Sequence, residues 1–209
     1  MAANDQEIEA KFLILTPHKL ILKLHDLGAQ LTAARVKETN LRFDSADGRL
    51  MRERVVLRLR QDENAVLTYK GPAEADRSVS VRPEIEVRVD DFAAARRLLE
   101  GLGYHVAVIY EKWRTTYRLD DVLVTVDELP YGNFSEIEGP DEASIRAAAN
   151  KLGLAWDARS NDSYLGLFYR VQEKKKLAAR NLTFEEMAGQ SFSAADLGLH
   201  PADENPKQA

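Results

Sequence analysis

Apolar and polar residues alternate through several stretches of this chain, and segments with the spacing of amphipathic helices lie between them. Over 6–14, Ile8, Ala10 and Phe12 face one way and Glu7, Glu9 and Lys11 the other, the period of a strand. Thr16-Pro17 offers an N-cap and a first-turn proline, and Leu20, Ile21, Leu24 and Leu27 recur at helical spacing before Gly28. A long second strand is predicted over 29–44, ending near a turn at Asp47-Gly48. Val55, Leu57 and Leu59 alternate with Val56, Arg58 and Arg60, and Leu67 and Tyr69 with Thr68 and Lys70, which predicts a hairpin turning at 62–64. The clearest alternation sets Val79, Val81, Ile85, Val87 and Val89 against Ser80, Arg82, Glu84, Glu86 and Arg88. Pro83 lacks an amide donor there and predicts an edge or a bulge.

A second helix is predicted over 91–101, with Phe92, Ala95, Leu98 and Leu99 as its buried stripe. Another long strand starts at Gly103 and runs through "YEKWRTTYRL"; "VLVTVDEL" and "NFSEIEG" follow, joined by the turn "PYGN", and a third helix covers 141–152. The segments "EIEAKF" to "LGAQL" and "EIEVRV" to "LGYHV" share the order strand, helix, glycine, strand, which suggests an internal duplication. Strands following strands, with helices between, predict an α+β fold: an eight-stranded antiparallel barrel with helices packed outside. The barrel domain is expected over 1–170 and a helical extension over 171–209. Leading into that extension, "SYLGLFYRV" is expected as an amphipathic helix able to pack Tyr164, Leu167 and Phe168 on the barrel; within it a short helix is expected near "FEEMA", and "HPADENPKQA" is expected to be disordered.

If the helices cover the sheet's outer face, the charged faces of the strands become the barrel interior. That interior would be lined by Glu7, Glu9, Lys11, Arg58, Arg60, Lys70, Arg82, Glu84, Glu86, Arg88, Lys112, Arg114, Asp127, Glu136 and Glu138. Eight strands leave room for side chains or one small ligand. Buried charges are costly unless paired, hydrated or ligated, so their number points to a charged ligand. Carboxylates without histidine or cysteine suit hard cations such as Mg²⁺ or Mn²⁺, and Arg and Lys heads suit phosphate oxygens.

Composition narrows the picture further. The chain carries 29 Lys and Arg against 34 Asp and Glu, a net charge of −5 that argues against a general nucleic-acid binder. It has no cysteine, which excludes a disulfide framework and a thiolate site. The start "MAANDQEIEA" lacks a signal-peptide pattern and no stretch reads as a membrane span, so a soluble, cytoplasmic protein is expected. The four histidines are scattered without ligand-like spacing, and Trp113 reads as core packing facing away from the tunnel.

Six blocks in order carry a resemblance: "EIEAK" at 7–11, "LRLR" at 57–60, "TYKG" at 68–71, "RPEIE" at 82–86, "KWR" at 112–114 and "GNFSEIEG" at 132–139. With "DSYLGL" after the third helix, the chain over about 5–170 resembles the CYTH superfamily, the triphosphate tunnel metalloenzymes. The resemblance implies an eight-stranded tunnel that binds a triphosphate with Mg²⁺ or Mn²⁺, two ions per site. By motif position Glu7, Glu9, Asp127, Glu136 and Glu138 would serve the metals, and Lys11, Arg58, Arg60, Lys70, Lys112 and Arg114 the phosphates. Lys11 would also orient or activate the attacking group. Arg82, Glu84, Glu86 and Arg42 form a second tier, Glu84 and Glu86 reading equally as ligands or as partners of Arg82 and Arg88. Arg42 stands where several hydrolytic members carry a tyrosine, which puts a lysine–tyrosine base pair in doubt. The first expectation is hydrolysis of inorganic, organic or nucleoside triphosphate; class IV adenylyl cyclisation and polyphosphate binding without turnover are the alternatives. The partner is a small molecule, with neither nucleic acid nor membrane, and a homodimer is compatible with this reading.

Overall fold

Eight antiparallel strands close into a ring. They are β1 (Gln6–Ile14), β2 (Gln30–Ser45), β3 (Val56–Gln61), β4 (Ala65–Lys70), β5 (Ser80–Val89), β6 (Tyr104–Leu119), β7 (Val122–Leu129) and β8 (Gly132–Glu138). Their order is β5-β4-β3-β2-β6-β7-β8-β1, and β1 pairs back onto β5 to close the circuit. The computed structural model describes residues 6–204. A two-residue ninth strand, β9 (Arg159–Ser160), lies beside Lys11 and Phe12, so one edge of β1 is shared between β5 at its start and β9 further on. Pro83 sits where β5 changes partner: residues 80–83 pair with β1 and residues 84–89 with β4. The Gly71 amide donates to the Pro83 carbonyl at 2.9 Å just past the end of β4, a position where the missing proline donor leaves no rung of the ladder unmade.

The helices are α1 (Pro17–Asp26), α2 (Arg49–Arg52), α3 (Phe92–Gly101), α4 (Glu142–Leu152), α5 (Tyr164–Lys175) and α6 (Ala194–Leu197). They build three apolar cores, two on the outer face and one within an end of the ring. α1 and α4 cover one outer flank, where Phe12, Leu24, Val124, Ile137 and Ile145 are buried together, and α3 covers Leu41, Phe43 and Leu59 on another. α5 and the chain after it close one end of the ring against Leu13, Tyr110 and Phe134, which share the inward faces of Lys11, Lys112 and Glu136, and bury Leu167, Phe168 and Leu182 with them. The Leu-Gly pairs end α1, α3 and α4 with the glycine at φ of 73°, 92° and 76°, the left-handed geometry that closes a helix without the penalty of a side chain. Among the described residues no helix is long and apolar enough to cross a membrane.

Several expectations change. Leu98 is 64% exposed, and so are half of Ile85 and Val87, because α3 leans on β3 and β6 and leaves the outer face of β5 bare. Thr16 does not cap α1 with its side chain; its hydroxyl donates to Asp203 instead. The one-turn α2 was not anticipated: the Asp44 carboxylate accepts from the Leu50 amide at 2.8 Å and the Met51 amide at 3.2 Å and so holds the turn. Around "FEEMA" the chain makes successive turns and no helix.

The segment 200–204 is ordered rather than disordered, and residues 1–5 and 205–209 lie outside the described part. Ala202 is buried, its amide donating to Leu13 and its carbonyl accepting from Ala155, each at 2.8 Å. Asp203 accepts from the Leu15 amide, the Thr16 amide and the Thr16 hydroxyl. Hydrogen bonds to a charged acceptor are worth about 1.5–3 kcal/mol each in favourable settings, and this one is part-exposed, so Asp203→Ala is expected to lower stability by about 2 kcal/mol in urea unfolding. An unchanged midpoint would show that the tail contributes nothing to the fold. Gly139, after the last strand, has no room for a side chain: a Cβ there would stand 2.8 Å from Val122 Cγ1 and 3.2 Å from Ile145 Cγ1. Gly139→Ala is therefore expected to destabilise by about 1–3 kcal/mol through overpacking, read from the same unfolding curves.

Candidate active site

The ring encloses a cavity of about 260 Å³ lined by inward-facing charged side chains. Glu7, Glu9 and Lys11 of β1, Arg58 and Arg60 of β3, Lys70 of β4, Arg82, Glu84 and Glu86 of β5, Lys112 and Arg114 of β6, and Glu136 and Glu138 of β8 all face it, as the alternation predicts. Arg42 of β2 joins them. Eight cations and six carboxylates line it, and two more acids, Glu38 and Asp127, are buried against those cations, so the charges balance one for one. The balance is uneven along the cavity, and its arginine- and lysine-rich wall attracts anions in spite of the chain's net charge of −5. Arg88 does not reach the cavity: it is exposed and follows β5 out to the rim. Ser163, Tyr164 and Leu165, at the start of α5, close part of the wall.

The carboxylates gather where β1 meets β8 and β5. Glu9 lies directly across the ladder from Glu138, and Glu7 across from Arg82. Lys70 donates to Glu7 at 2.5 Å and approaches Glu84 at 3.1 Å; Arg82 donates to Glu7 at 3.1 Å and to Glu9 at 3.4 Å. Burial works to raise the Glu7 carboxyl, but Lys70 and Arg82 outweigh it and hold it below its ordinary value. Glu9 goes the other way, pushed up by burial and by Glu136 and Glu7. Glu138, at the rim, is pushed up to about 7 by partial burial and by Glu7 and Glu9, and Glu84 to about 7 by burial with Glu7 and Glu86 against the pull of Lys70.

Glu9, Glu84 and Glu138 are buried in the field of other acids that their cationic neighbours do not outweigh, which fits a hard divalent ion. Among the described residues no three acidic side chains converge on a point to form a closed cage. The donor set therefore suits Mg²⁺ or Mn²⁺ bound through one or two carboxylates, with water and ligand oxygens completing the shell.

Asp127 occupies a different place from the one expected. It does not line the cavity and is fully buried on β7, directly across the ladder from Arg114, where it accepts from Lys112 Nζ at 3.0 Å, Arg114 Nε at 2.6 Å and the Tyr164 hydroxyl at 2.8 Å. Glu38 plays the same part from β2, within 3.5 Å of Arg60 and of Lys112. Burial raises its carboxyl, but Lys112, Arg114, Arg60 and Arg58 outweigh it and hold it at about 2. Glu136 is likewise held low by Lys11 and Arg114 against its burial, and it bonds the Arg114 guanidinium. Lys11 donates to the Asp162 carbonyl at 2.9 Å, lies 3.3 Å from Glu136 and sits 4.4 Å from the Tyr164 ring centre.

Glu38, Asn40, Tyr110 and Tyr164 were missed by the sequence reading. Glu38, Asn40 and Arg42 share one face of β2 by simple alternation, and Tyr110 shares the face of Lys112 and Arg114 on β6, so the period-2 signal was present. Trp113 faces out of the tunnel as expected but is half-buried rather than core, with the Arg35 guanidinium 4.0 Å over its ring.

Removing the Asp127 charge takes a shared acid from two desolvated cations and leaves Lys112 with Glu38 at 3.5 Å and Arg114 with Glu136. Breaking such a buried pair costs about 3–5 kcal/mol, so Asp127→Asn is expected to lose about 3 kcal/mol in urea unfolding, whereas Tyr164→Phe, which deletes one hydrogen bond, is expected to lose about 1. Equal losses from the two would show that Asp127 is not the anchor of this cluster.

Comparison with known proteins follows the geometry. The family model of the CYTH domain matches residues 5–155. A putative adenylate cyclase of Methanocaldococcus jannaschii is 30% identical over 134 residues, covering 63% of this chain and 75% of that protein. The solved structure of a putative adenylate cyclase from Vibrio parahaemolyticus superposes with a TM-score of 0.69 at 21% identity, covering 80% of this chain and 99% of that one. A putative adenylyl cyclase from Hippeastrum, described as having a dominant triphosphatase activity, superposes with a TM-score of 0.59 at 20% identity over 78% of this chain and 95% of that one. At such identities the two structures speak for the fold alone. The match of the domain model to most of the length, joined to the closed ring and its charged interior, shows that this chain belongs to the CYTH family.

Proposed function

We propose that this protein hydrolyses a triphosphate bound in its tunnel with the help of Mg²⁺ or Mn²⁺. The observation that carries this reading is the division of one cavity into a carboxylate side, around Glu7, Glu9 and Glu138, and a cation-rich side formed by Arg58, Arg60, Lys112 and Arg114. A polyphosphate is a ligand that needs both at once: cationic side chains for its oxygens, and acids to hold the metal that neutralises it. Metal bound through Glu9 and Glu138, with Glu7 and Glu136 beside them, would supply charge neutralisation and polarise the phosphoryl oxygens.

The chain's own residues do the rest. Arg58, Arg60 and Arg114 present guanidinium forks, and Lys70 and Lys112 present point charges, so the phosphates are fixed in direction as well as in charge. Asp127 and Glu38 hold Lys112 and Arg114 in place before substrate arrives, which is how electrostatic stabilisation avoids reorganisation during the reaction. Lys11 spends one donor on the Asp162 carbonyl and turns toward Glu136, which leaves a third donor for the phosphate under attack or for the water that attacks it.

Cyclisation of ATP is the second reading, favoured by the name carried by the 30% identical relative. It uses the same clamp with a ribose hydroxyl as the attacking group. Phosphate release is to be measured with inorganic triphosphate, thiamine triphosphate and ATP, with Mg²⁺ and with Mn²⁺, and cyclic AMP is to be followed in parallel. Hydrolysis predicts metal-dependent phosphate release abolished by a chelator, and no cyclic AMP. Glu9→Gln and Glu136→Gln are each expected to lower kcat/KM about 100-fold or more, as loss of groups acting on the transition state does. Retention of full activity by both variants would sink the assigned site, and cyclic AMP as the main product from ATP would replace hydrolysis by cyclisation.

A further inference from the structure

Buried polar atoms are nearly always paired, so a concentration of unpaired ones marks a place where a partner binds. Among the described residues seven buried side-chain polar atoms lack a hydrogen-bond partner, and six of the seven belong to Glu38, Asn40, Arg42, Arg58 and Arg60. All five side chains project inward from the neighbouring strands β2 and β3. The donors without any partner are Asn40 Nδ2, Arg42 Nη1 and Arg58 Nε; Arg60 Nε makes no hydrogen bond but lies 3.4 Å from Asp62. Arg58 and Arg60 are accounted for by the phosphate clamp; Asn40 and Arg42 are not.

Arg42 has a singular position. It lies directly across the β2–β3 ladder from Arg58, as Asn40 does from Arg60. Like charges opposite one another are destabilising, and Arg58 is shared with Thr68, Glu86 and Tyr110, whereas no carboxylate among the described residues pairs with Arg42. Its single hydrogen bond goes to the Val55 carbonyl at 3.3 Å. Burial and the neighbouring Arg58 draw its proton affinity down, with Tyr110 opposing, as for a cation held without its counter-charge. The inward face of β2 carries the row away from the anchored cluster: Glu38 stands opposite Lys112, and Arg42 lies four residues on, roughly 13 Å along the strand.

We propose that Arg42, with the Asn40 amide and the unpaired edge of Arg58, forms an additional oxyanion subsite on the β2–β3 wall, so that the cavity holds one anionic group beyond three phosphates. The proposal rests on the triphosphate reading and extends it. A guanidinium presents a planar fork matched to phosphate, and the amide adds a donor with no charge to desolvate. The oxyanion has two sources: a fourth phosphate continuous with the other three in a linear polyphosphate, or a separate small anion such as free phosphate.

The test compares wild type with Arg42→Gln on inorganic triphosphate, on inorganic tetraphosphate and on triphosphate with added free phosphate, reading kcat/KM and, without turnover, ligand-induced thermal stabilisation. For a covalent fourth phosphate, wild type is expected to favour tetraphosphate about tenfold, and Arg42→Gln to remove that advantage while staying within about threefold on triphosphate. For a separate anion, free phosphate tightens triphosphate binding in wild type and not in the variant. Equal losses on triphosphate and tetraphosphate would place Arg42 in the ordinary clamp and overturn the subsite. So would a variant indistinguishable from wild type in every arm. A wild type that neither binds nor hydrolyses triphosphate, yet gains stability from tetraphosphate through Arg42, refutes the triphosphate reading while supporting the subsite; a response to triphosphate alone does the reverse.

Discussion

Charges enclosed by a ring of strands must balance one another or a ligand, and the rest of this structure follows from that constraint. Fourteen ionisable side chains face one small cavity, and each would be costly to desolvate alone. The balance is arranged in two layers. Asp127 and Glu38, almost wholly inaccessible, hold Lys112 and Arg114 from behind, while the acids that face the cavity are tied only in part. Because the middle of the ring is charged, the apolar outer faces are covered by two separate helical cores, and a third, built by α5 and the chain after it, closes one end of the ring from within. The barrel is therefore inverted with respect to small barrels that pack their own side chains within.

The alternation of residues made this inversion legible, since a period of two assigns each strand's faces without knowledge of its neighbours. It could not say how far each outer face is covered. Ile85 and Val87 carry the same pattern as Val79 and Val81, yet the first pair is exposed and the second buried, because coverage depends on where α1, α3 and α4 settle. Nor could it separate a side chain in the cavity from one just behind it. Asp127 follows the same alternation as the acids of β8, and its depth comes from the approach of Arg114 and Tyr164, a residue 37 positions away. The tail failed for a related reason: Asp203 looks like part of a polar terminus, and its use is set by the amides of Leu15 and Thr16 at the other end of the chain. Local composition carries no trace of contacts so distant in sequence.

Arg42 shows how a single departure from a family pattern gains physical meaning only in three dimensions. In sequence it is an arginine in a position where an aromatic hydroxyl was expected. In space it adds a cation directly opposite Arg58 on a wall already rich in unpaired donors. A fold gains nothing from placing two arginines opposite each other on one ladder unless something negative is shared between them.

The sequence Glu-Ile-Glu recurs at 7–9, 84–86 and 136–138, and the three copies now separate by what surrounds them. The isoleucines share an orientation but not an environment: Ile137 is fully buried, Ile8 packs at the margin of a core and Ile85 is half exposed. The carboxylates differ more usefully. Glu7 and Glu136 are held low against their burial by lysine and arginine partners, which makes them counter-ions of the cavity's cations. Glu9 and Glu138 face each other across the β1–β8 ladder and are both pushed up, by burial first and then by neighbouring acids. Two carboxylates on adjacent strands that repel each other's charge have most to gain from a divalent ion between them, whereas Glu84 and Glu86 already share Lys70 and Arg58. On the proposed reading the repeated motif would supply one metal-facing pair, drawn one residue each from its first and last copies, while its middle copy pairs with Lys70 and Arg58.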